Sequence, residues 1–350
     1  MTDLGALGAW LAPRLAAVGE VGIDDVRAPA SIGYSAETVL FRAVYHTAGG
    51  PAARRLVLRA ETPDPPVYPA QVPGPAVEID IQRKVMEALA PTPVPVAPLL
   101  GWEADPAVIG TPFFVMDFID GDVPSLDPPY TTSGFFAEAA PLDRNEMIAD
   151  GLRVLAAVHR VNWRSAGLGW LLAPSTAPTL AHQLELWQAY AAAELGERRH
   201  PALEQAADLL HRHLPTGSPP ALCWGDPRPG NMIWRHNRCV CVTDFEAAAI
   251  APPEADLGWW LMFDRSCHEV IGAPRLDGEP SRQEQRELYS AAIGGDVGPT
   301  RLHEVFAAYR YAAIVVRVMN RAVARGQVPA DHTVWLDNPA AVGLRQLLET

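Results

Sequence analysis

Residues 222–260 read LCWGDPRPGNMIWRHNRCVCVTDFEAAAIAPPEADLGWW, and the order of two carboxylates and an amide within them decides how the rest of the chain is read. Asp226 follows the apolar run 221–224 and a glycine, which puts it where a buried strand turns into a loop. Asn231 comes after a loop whose Pro227 and Pro229 restrict the backbone and leave little slack between the two polar side chains. Segment 231–234 is expected as a strand, His236-Asn237-Arg238 as its turn and 239–243 as the returning strand, with Asp244 at its end. A hairpin brings the chain back to where it began, so Asp244 is expected beside Asn231. One carboxylate and one amide then converge on a point, with a second carboxylate one loop away.

That set suits phosphoryl transfer from a nucleotide. A hard cation such as Mg²⁺ takes a few protein oxygens and leaves its other positions to phosphate and water, and an Asp with an Asn supplies them without overcharging the site. The remaining Asp would orient and deprotonate an acceptor hydroxyl, because such transfer is mostly positioning and electrostatic stabilisation.

The order D-x-x-x-x-N, hairpin, D-F resembles the catalytic loop and metal-binding Asp of the protein-kinase-like superfamily. The surrounding W-G-D-P-R-P-G-N-M-I-W, V-T-D-F-E and P-P-E-A-D-L-G-W-W resemble its aminoglycoside phosphotransferase branch, both actinobacterial-type members and the kinase-like domains fused to acyl-CoA dehydrogenases. The resemblance implies Asp226 as catalytic base, Asn231 and Asp244 as Mg²⁺ ligands, and Asp256 as a brace for the catalytic loop. A first-turn helix carboxylate next to Glu254 accounts for Asp256 equally well. Arg228 lies close enough to stabilise the transferring group, and a loop salt bridge would also explain it. Two positions depart from the branch: Trp224 stands where His is usual, and Glu246 stands where Gly is expected after D-F. A packing residue can replace the first, and the second argues against any flipping of the Asp244 segment.

A chain of 350 residues suggests two lobes or domains, and 49% hydrophobic with 20% charged residues is ordinary for a soluble globular protein. The net charge of −13 argues against nucleic acid, which needs a basic stripe; it fits a cationic substrate and solubility equally. Cys223, Cys239, Cys241 and Cys267 have no C-x-x-C spacing, which argues against zinc and for a reducing compartment. Neither a secretory leader nor a membrane-spanning apolar run is visible, so a cytoplasmic protein is expected.

Along the chain, leucines at helical spacing predict an amphipathic helix over 4–18, followed by a strand over 39–46 and another, RLVLRA, over 55–60. The resemblance places Gly33 and Ser35 over the nucleotide phosphates and Arg59 where kinase-like folds keep a phosphate-binding Lys; an exposed strand cation is the plainer reading of Arg59. A Pro-rich loop, 62–75, leads to a helix over 78–89. Counting along it puts Gln82 where the family carries the Glu that pairs with the strand cation, with Glu78 one turn earlier as a substitute. A Gln82–Arg59 contact would be a neutral hydrogen bond that leaves Arg59 freer for phosphate.

Strands are expected over 99–103 and 113–119, with a hinge at Asp120-Gly121-Asp122 and, by resemblance, adenine contacts from the backbone of Met116 and Phe118. Helices are predicted over 147–160, 181–195, 201–214, 281–292 and 301–325. His159 is read as a packed structural residue. Trp187, Trp259, Trp260 and Trp335 are read as core, with an aromatic substrate wall as the lesser option.

These observations predict a two-lobed α+β, protein-kinase-like fold: a nucleotide-binding lobe over 1–121 with an antiparallel sheet, and a mostly helical catalytic and substrate lobe over 122–350. The expected activity is transfer from ATP, or GTP, with Mg²⁺, to a hydroxyl of a small molecule. Aminoglycosides head the acceptors, with hydroxyacyl-CoAs or other metabolites as alternatives; too few residues separate Asp244 from Asp256 for a protein substrate. A nucleotide-binding pseudokinase is the reading from another class. It is motivated by Gln82, Trp224 and Glu246 and opposed by the intact Asp226, Asn231 and Asp244.

Overall fold

In the computed structural model the described residues are 3–28, 36–64, 66–74, 78–215 and 218–349. Helix α1 (Leu4–Arg14) starts on Asp3, whose Oδ1 accepts from the N–H groups of Gly5 and Ala6. It packs Leu7, Trp10 and Leu11 onto one face of an antiparallel sheet, against Phe41, Leu56, Leu58 and Phe113. The sheet contains β1 (Gly22–Arg27), β2 (Glu37–Thr47), β3 (Gly50–Ala60), β4 (Leu99–Glu103) and β5 (Phe113–Asp117), in the order β1-β2-β3-β5-β4. The β2 and β3 strands are longer than their apolar runs predict, because the hairpin stays paired out to Thr47 and Gly50.

Helix α2 (Glu78–Leu89) covers the other face, burying Val85, Met86 and Leu89 in a core shared with Phe114 and with the helical half of the chain. The side chain of Glu78 lies outside the described residues. After β5 the chain passes Gly121, whose φ of +157° and close approach leave no room for a Cβ: one would lie 2.5 Å from the carbonyl oxygen of Trp234. Asp122 and Trp234 then exchange backbone hydrogen bonds, each 2.8 Å, so the chain leaving the sheet is stitched to the hairpin that follows Asn231.

The second half contains α3 (Phe135–Glu138), α4 (Pro141–His159), α5 (Leu180–Leu195), α6 (Pro201–Arg212), α7 (Glu254–Ser266), α8 (Arg282–Ile293), α9 (Arg301–Ala324) and α10 (Pro339–Glu349). Between α6 and α7 run four short strands. β6 (Ala221–Cys223) pairs with β9 (Ala249–Ala251), and β7 (Met232–Arg235) pairs with β8 (Arg238–Val242). The β7–β8 turn has two central residues, His236 and Asn237, both at positive φ (50° and 60°), which is the hairpin geometry that follows strand twist. The molecule is thus an antiparallel sheet half and a helical half, a two-lobed α+β kinase-like fold. Among the described residues no helix is long and apolar enough to cross a membrane.

A further connection ties the halves beyond the chain crossing at Gly121 and the α2 core. The Pro-rich segment between β3 and α2 lies on the helical half, with Val67 buried among Leu180, Leu184 and Trp187. Tyr190 Oη donates to the Val67 carbonyl (2.5 Å), Arg317 to that of Pro66 (3.0 Å), and the Gln183 amide to Gln71 Oε1 (2.8 Å).

Candidate active site

Asp226 follows β6 at a point the backbone can reach only with glycine before it. Gly225 has a φ of +93°, and a Cβ there would lie 2.1 Å from the carbonyl oxygen of Ala247. The peptides on either side are clamped. Asp256, fully buried at the start of α7, accepts from the backbone N–H of Trp224 (2.6 Å) and of Gly225 (3.0 Å). Arg310 of α9 donates to the Gly225 carbonyl (2.8 Å), its guanidinium stacked near Trp259 and Trp187. Asp256 is held in turn by His159 Nε2 (3.1 Å), and His159 Nδ1 meets the Tyr289 hydroxyl (2.7 Å). Asp256 therefore braces the loop while also opening a helix, and His159 is structural.

The Asp226 carboxylate is 8% exposed and closely held. Oδ1 accepts from the Trp259 indole N–H (2.7 Å) and from Arg228 Nε (3.0 Å); Oδ2 accepts from the Asn231 amide (2.8 Å) and, more distantly, the Tyr68 hydroxyl (3.4 Å). Arg228 forms a salt bridge within the loop; burial acts to lower its pKa, and the charge of Asp226 opposes this, so that with its other partners it ends raised. Burial and the charge of Asp226 push the Tyr68 phenol well up, so it stays a protonated donor. Asn231 also donates to the Asp226 carbonyl (3.0 Å), which commits its amide nitrogen and leaves its amide oxygen as the free end.

The hairpin returns as expected: the Thr243 N–H donates to the Asn231 carbonyl (3.0 Å). Asp244 follows in the left-handed region, φ 58°, a conformation tolerated by Asp and found where a site over-determines its backbone. Its carboxylate is 37% exposed. Trp224 bridges the two loops, its indole N–H shared between the carbonyls of Thr243 (2.8 Å) and Asp244 (3.1 Å). The residue in place of His is therefore a strut between the Asp226 and Asp244 segments.

Arg59 points into this site from β3, 11% exposed, but its company differs from expectation. Gln82 Oε1 is 3.4 Å from Arg59 Nη2, a marginal contact, whereas Glu246 Oε1 is 2.8 Å away and Asp244 Oδ1 3.1 Å. Arg59 is ion-paired to two carboxylates of the returning loop, so the freer Arg59 expected from a Gln82 contact is corrected. Glu246 is the carboxylate that the sequence marked only as a departure from Gly.

Among the remaining expected nucleotide contacts, Gly33 and Ser35 lie outside the described residues. Met116 sits mid-sheet between Val57 and Leu99. The N–H of Phe118 is taken by the Arg55 carbonyl (3.1 Å), and its ring is covered by the Arg55 guanidinium at 3.7 Å. That backbone donor is thus used within the sheet and not offered to a base edge. Tyr68, Trp259 and Arg310 were missed as site residues: each contacts Asp226 or its loop from far along the chain, and only the aromatic wall considered for Trp259 pointed toward one of them.

Residues 28–294 match the phosphotransferase enzyme family. Mouse acyl-CoA dehydrogenase family member 10 is 26% identical over 290 residues, covering 78% of this chain and 25% of that protein. Human acyl-CoA dehydrogenase family member 11 is 28% identical over 193 residues, covering 54% and 23%. The chain spans about a quarter of the length of these curated relatives. Among solved structures, a candidate aminoglycoside phosphotransferase from Ralstonia eutropha aligns with a TM-score of 0.71 at 24% identity, over 100% of this chain and 99% of that one. The aminoglycoside phosphotransferase APH(4)-Ia, in complex with AMP-PNP and hygromycin B, aligns at 0.54 and 12% identity, over 98% of each.

Proposed function

The chain belongs to the phosphotransferase enzyme family, and from that membership we propose that it is a small-molecule kinase moving the terminal phosphoryl group of ATP, or GTP, to an acceptor hydroxyl. The observation that carries the reading is the pairing of a fixed carboxylate with a ligating pair. The Asp226 carboxylate is immobilised by the amide nitrogen of Asn231, while the Asn231 oxygen and the partly exposed Asp244 carboxylate remain as oxygen donors. Oxygen donors of this kind and number fit Mg²⁺, and Asn231 and Asp244 would hold it; when bound it would neutralise phosphate charge.

The chain's own residues do the rest. Asp226 orients the acceptor hydroxyl and takes its proton as the oxygen attacks the γ-phosphorus and the nucleoside diphosphate leaves. Arg59 approaches the phosphates from β3, and Arg228, one ion pair from the base, offsets charge on the group in transit. The division into a nucleotide-binding part over 1–121 and a catalytic and acceptor part over 122–350 belongs to the same proposal, with Gly33, Ser35, Met116 and Phe118 on the nucleotide side.

The names of similar proteins set the acceptor panel. Hygromycin B in one structural neighbour, the likeness to an ethanolamine kinase from Plasmodium vivax, and the acyl-CoA dehydrogenase relatives are the reasons to include aminoglycosides, amino alcohols and hydroxyacyl-CoAs. The test is nucleotide turnover with Mg²⁺ across that panel, with Asp226→Ala beside the wild type. Stimulation by one acceptor class, abolished by Asp226→Ala, is expected. Tight nucleotide binding with no acceptor phosphorylated across the panel would favour the pseudokinase reading.

A further inference from the structure

Asp226 is more fully hydrogen-bonded than a proton acceptor awaiting its substrate needs to be. An ionised carboxylate offers about four lone-pair sites. Five contacts fall on this one: Trp259 at 2.7 Å and Arg228 Nε at 3.0 Å on Oδ1, and Asn231 at 2.8 Å, the same Arg228 Nε at 3.2 Å and the Tyr68 hydroxyl at 3.4 Å on Oδ2. An acceptor hydroxyl can reach the base only by displacing one of them. We propose that Tyr68 is the group displaced: its hydroxyl holds the acceptor's seat on Asp226 and keeps water off the base until an acceptor takes its place. The inference rests on the reading of Asp226 as the base and adds a residue role to it.

The donors differ in what holds them. Trp259 is buried in α7, Asn231 is fixed by a second bond to the Asp226 carbonyl (3.0 Å), and Arg228 lies in the base's own loop. Tyr68 makes the longest contact and comes from the connection between β3 and α2, a strap laid across the helical half. Among residues 66–74 only Val67 is buried. The strap is otherwise held by side chains that reach it, Tyr190 and Arg317 to the carbonyls of Val67 and Pro66, and Gln183 to Gln71. A segment with a single buried apolar anchor opens at low cost. Closed, it lies tight on the helices: the lining of a cavity of about 10 Å³ includes Tyr68, Gln71, Gln183, Trp187, Phe306 and Arg310, room for about one water and for no acceptor.

The phenol suits this work chemically. Burial first, and then the charge of Asp226, hold it protonated, so it gives the base the same kind of O–H···O contact that an acceptor alcohol would give. With the seat empty, water would enter it. The water oxygen bonds to the γ-phosphorus as the bond from that phosphorus to the β–γ bridging oxygen breaks, the proton passes to Asp226, and nucleoside diphosphate and inorganic phosphate leave. A base placed as firmly as Asp226 would serve that reaction as readily as the productive one. An acceptor brings further contacts with which to lift the strap, whereas water brings none, so a weakly bonded hydroxyl in the seat discriminates between them.

The experiment is release of inorganic phosphate from ATP with Mg²⁺ and no acceptor, in wild type, Tyr68→Ala, Tyr68→Phe and each of these combined with Asp226→Ala, with thermal melts and titration of a fluorescent ATP analogue alongside. Tyr68→Ala is expected to raise release roughly tenfold, as for a seat that the strap covers about nine times in ten. Tyr68→Phe, which keeps the ring, is expected to raise it about twofold. Adding Asp226→Ala is expected to cancel either gain, because the extra hydrolysis runs through the base. With an acceptor from the panel, Tyr68→Phe should lower the acceptor KM about twofold, since a weak bond no longer competes; a raised KM would mean that the phenol holds the acceptor and not its seat, and would contradict the proposal. If wild type fails to bind nucleotide, the kinase reading itself falls and the proposal with it. If wild type binds and a folded Tyr68→Ala releases phosphate within twofold of wild type, or if Asp226→Ala leaves the gain in place, the seat-holding role is overturned while the kinase reading stands. If Tyr68→Ala does not fold, Tyr68→Phe decides: a gain that Asp226→Ala cancels supports the role, and no gain contradicts it.

Discussion

Asp226 opens the loop that leads into the β7–β8 hairpin and Asp244 follows its return, yet the fold treats them oppositely. Asp226 is buried and receives hydrogen bonds from Trp259, Asn231, Arg228 and Tyr68, so its carboxylate has one orientation. Asp244 stands in a left-handed backbone conformation, partly exposed, and its carboxylate accepts from Arg59. A group that must accept a proton at one point gains from immobilisation, because misplacement by an ångström is costly in rate. A group that must ligate a cation arriving with nucleotide gains from an exposed oxygen and an exchangeable partner. The contrast teaches that identical side chains are assigned different work by the number of donors around them.

The contrast can be broken from the Asp226 side. Trp259→Phe keeps the ring in the core but removes the indole N–H. A hydrogen bond to a charged group contributes about 1.5–3 kcal/mol, so kcat should fall by at least about tenfold while nucleotide binding holds. Steady-state kinetics beside a nucleotide titration checks this, and equal losses in both would assign Trp259 to packing alone.

A smaller effect sharpens the same comparison. The Tyr68 hydroxyl is 3.4 Å from Asp226, at the weak end of hydrogen bonding, so Tyr68→Phe should change kcat by only about twofold, or roughly 0.5 kcal/mol. Its pH dependence has a definite sign. Burial first, and then the charges of Asp226 and Glu246, raise the phenol well above its ordinary value, so it stays neutral and donating throughout the neutral range. The ratio of wild-type to Tyr68→Phe kcat should therefore be the same at pH 6 and pH 9, and a ratio collapsing toward one at pH 9 would show an ionising phenol.

Much of this was legible beforehand, for identifiable reasons. The hairpin from Asn231 to Asp244 was readable because apolar strands flank a turn whose Asn237 tolerates positive φ, and the long helices declare themselves by period. Strand β1 was not read: GIDDVR is an exposed edge strand with no apolar alternation, held by charge, including a bidentate Arg42–Asp24 pair to β2. The Pro-rich segment looked like a plain loop because its anchors, Tyr190, Arg317 and Gln183, are far along the chain. Glu246 could be recognised as unusual, but nothing local shows that it faces β3. Its role appears only when the two halves close on Arg59.

The most direct test of the division of labour compares Asp226→Asn with Asp244→Asn in nucleotide binding measured with and without Mg²⁺. Asp226→Asn is expected to bind nucleotide with the full Mg²⁺ enhancement and transfer nothing, whereas Asp244→Asn is expected to lose the enhancement itself. An Asp244→Asn variant that keeps the whole Mg²⁺ enhancement, or an Asp226→Asn variant that loses it, would contradict the assignment of the fixed carboxylate to the proton and the exposed one to the metal.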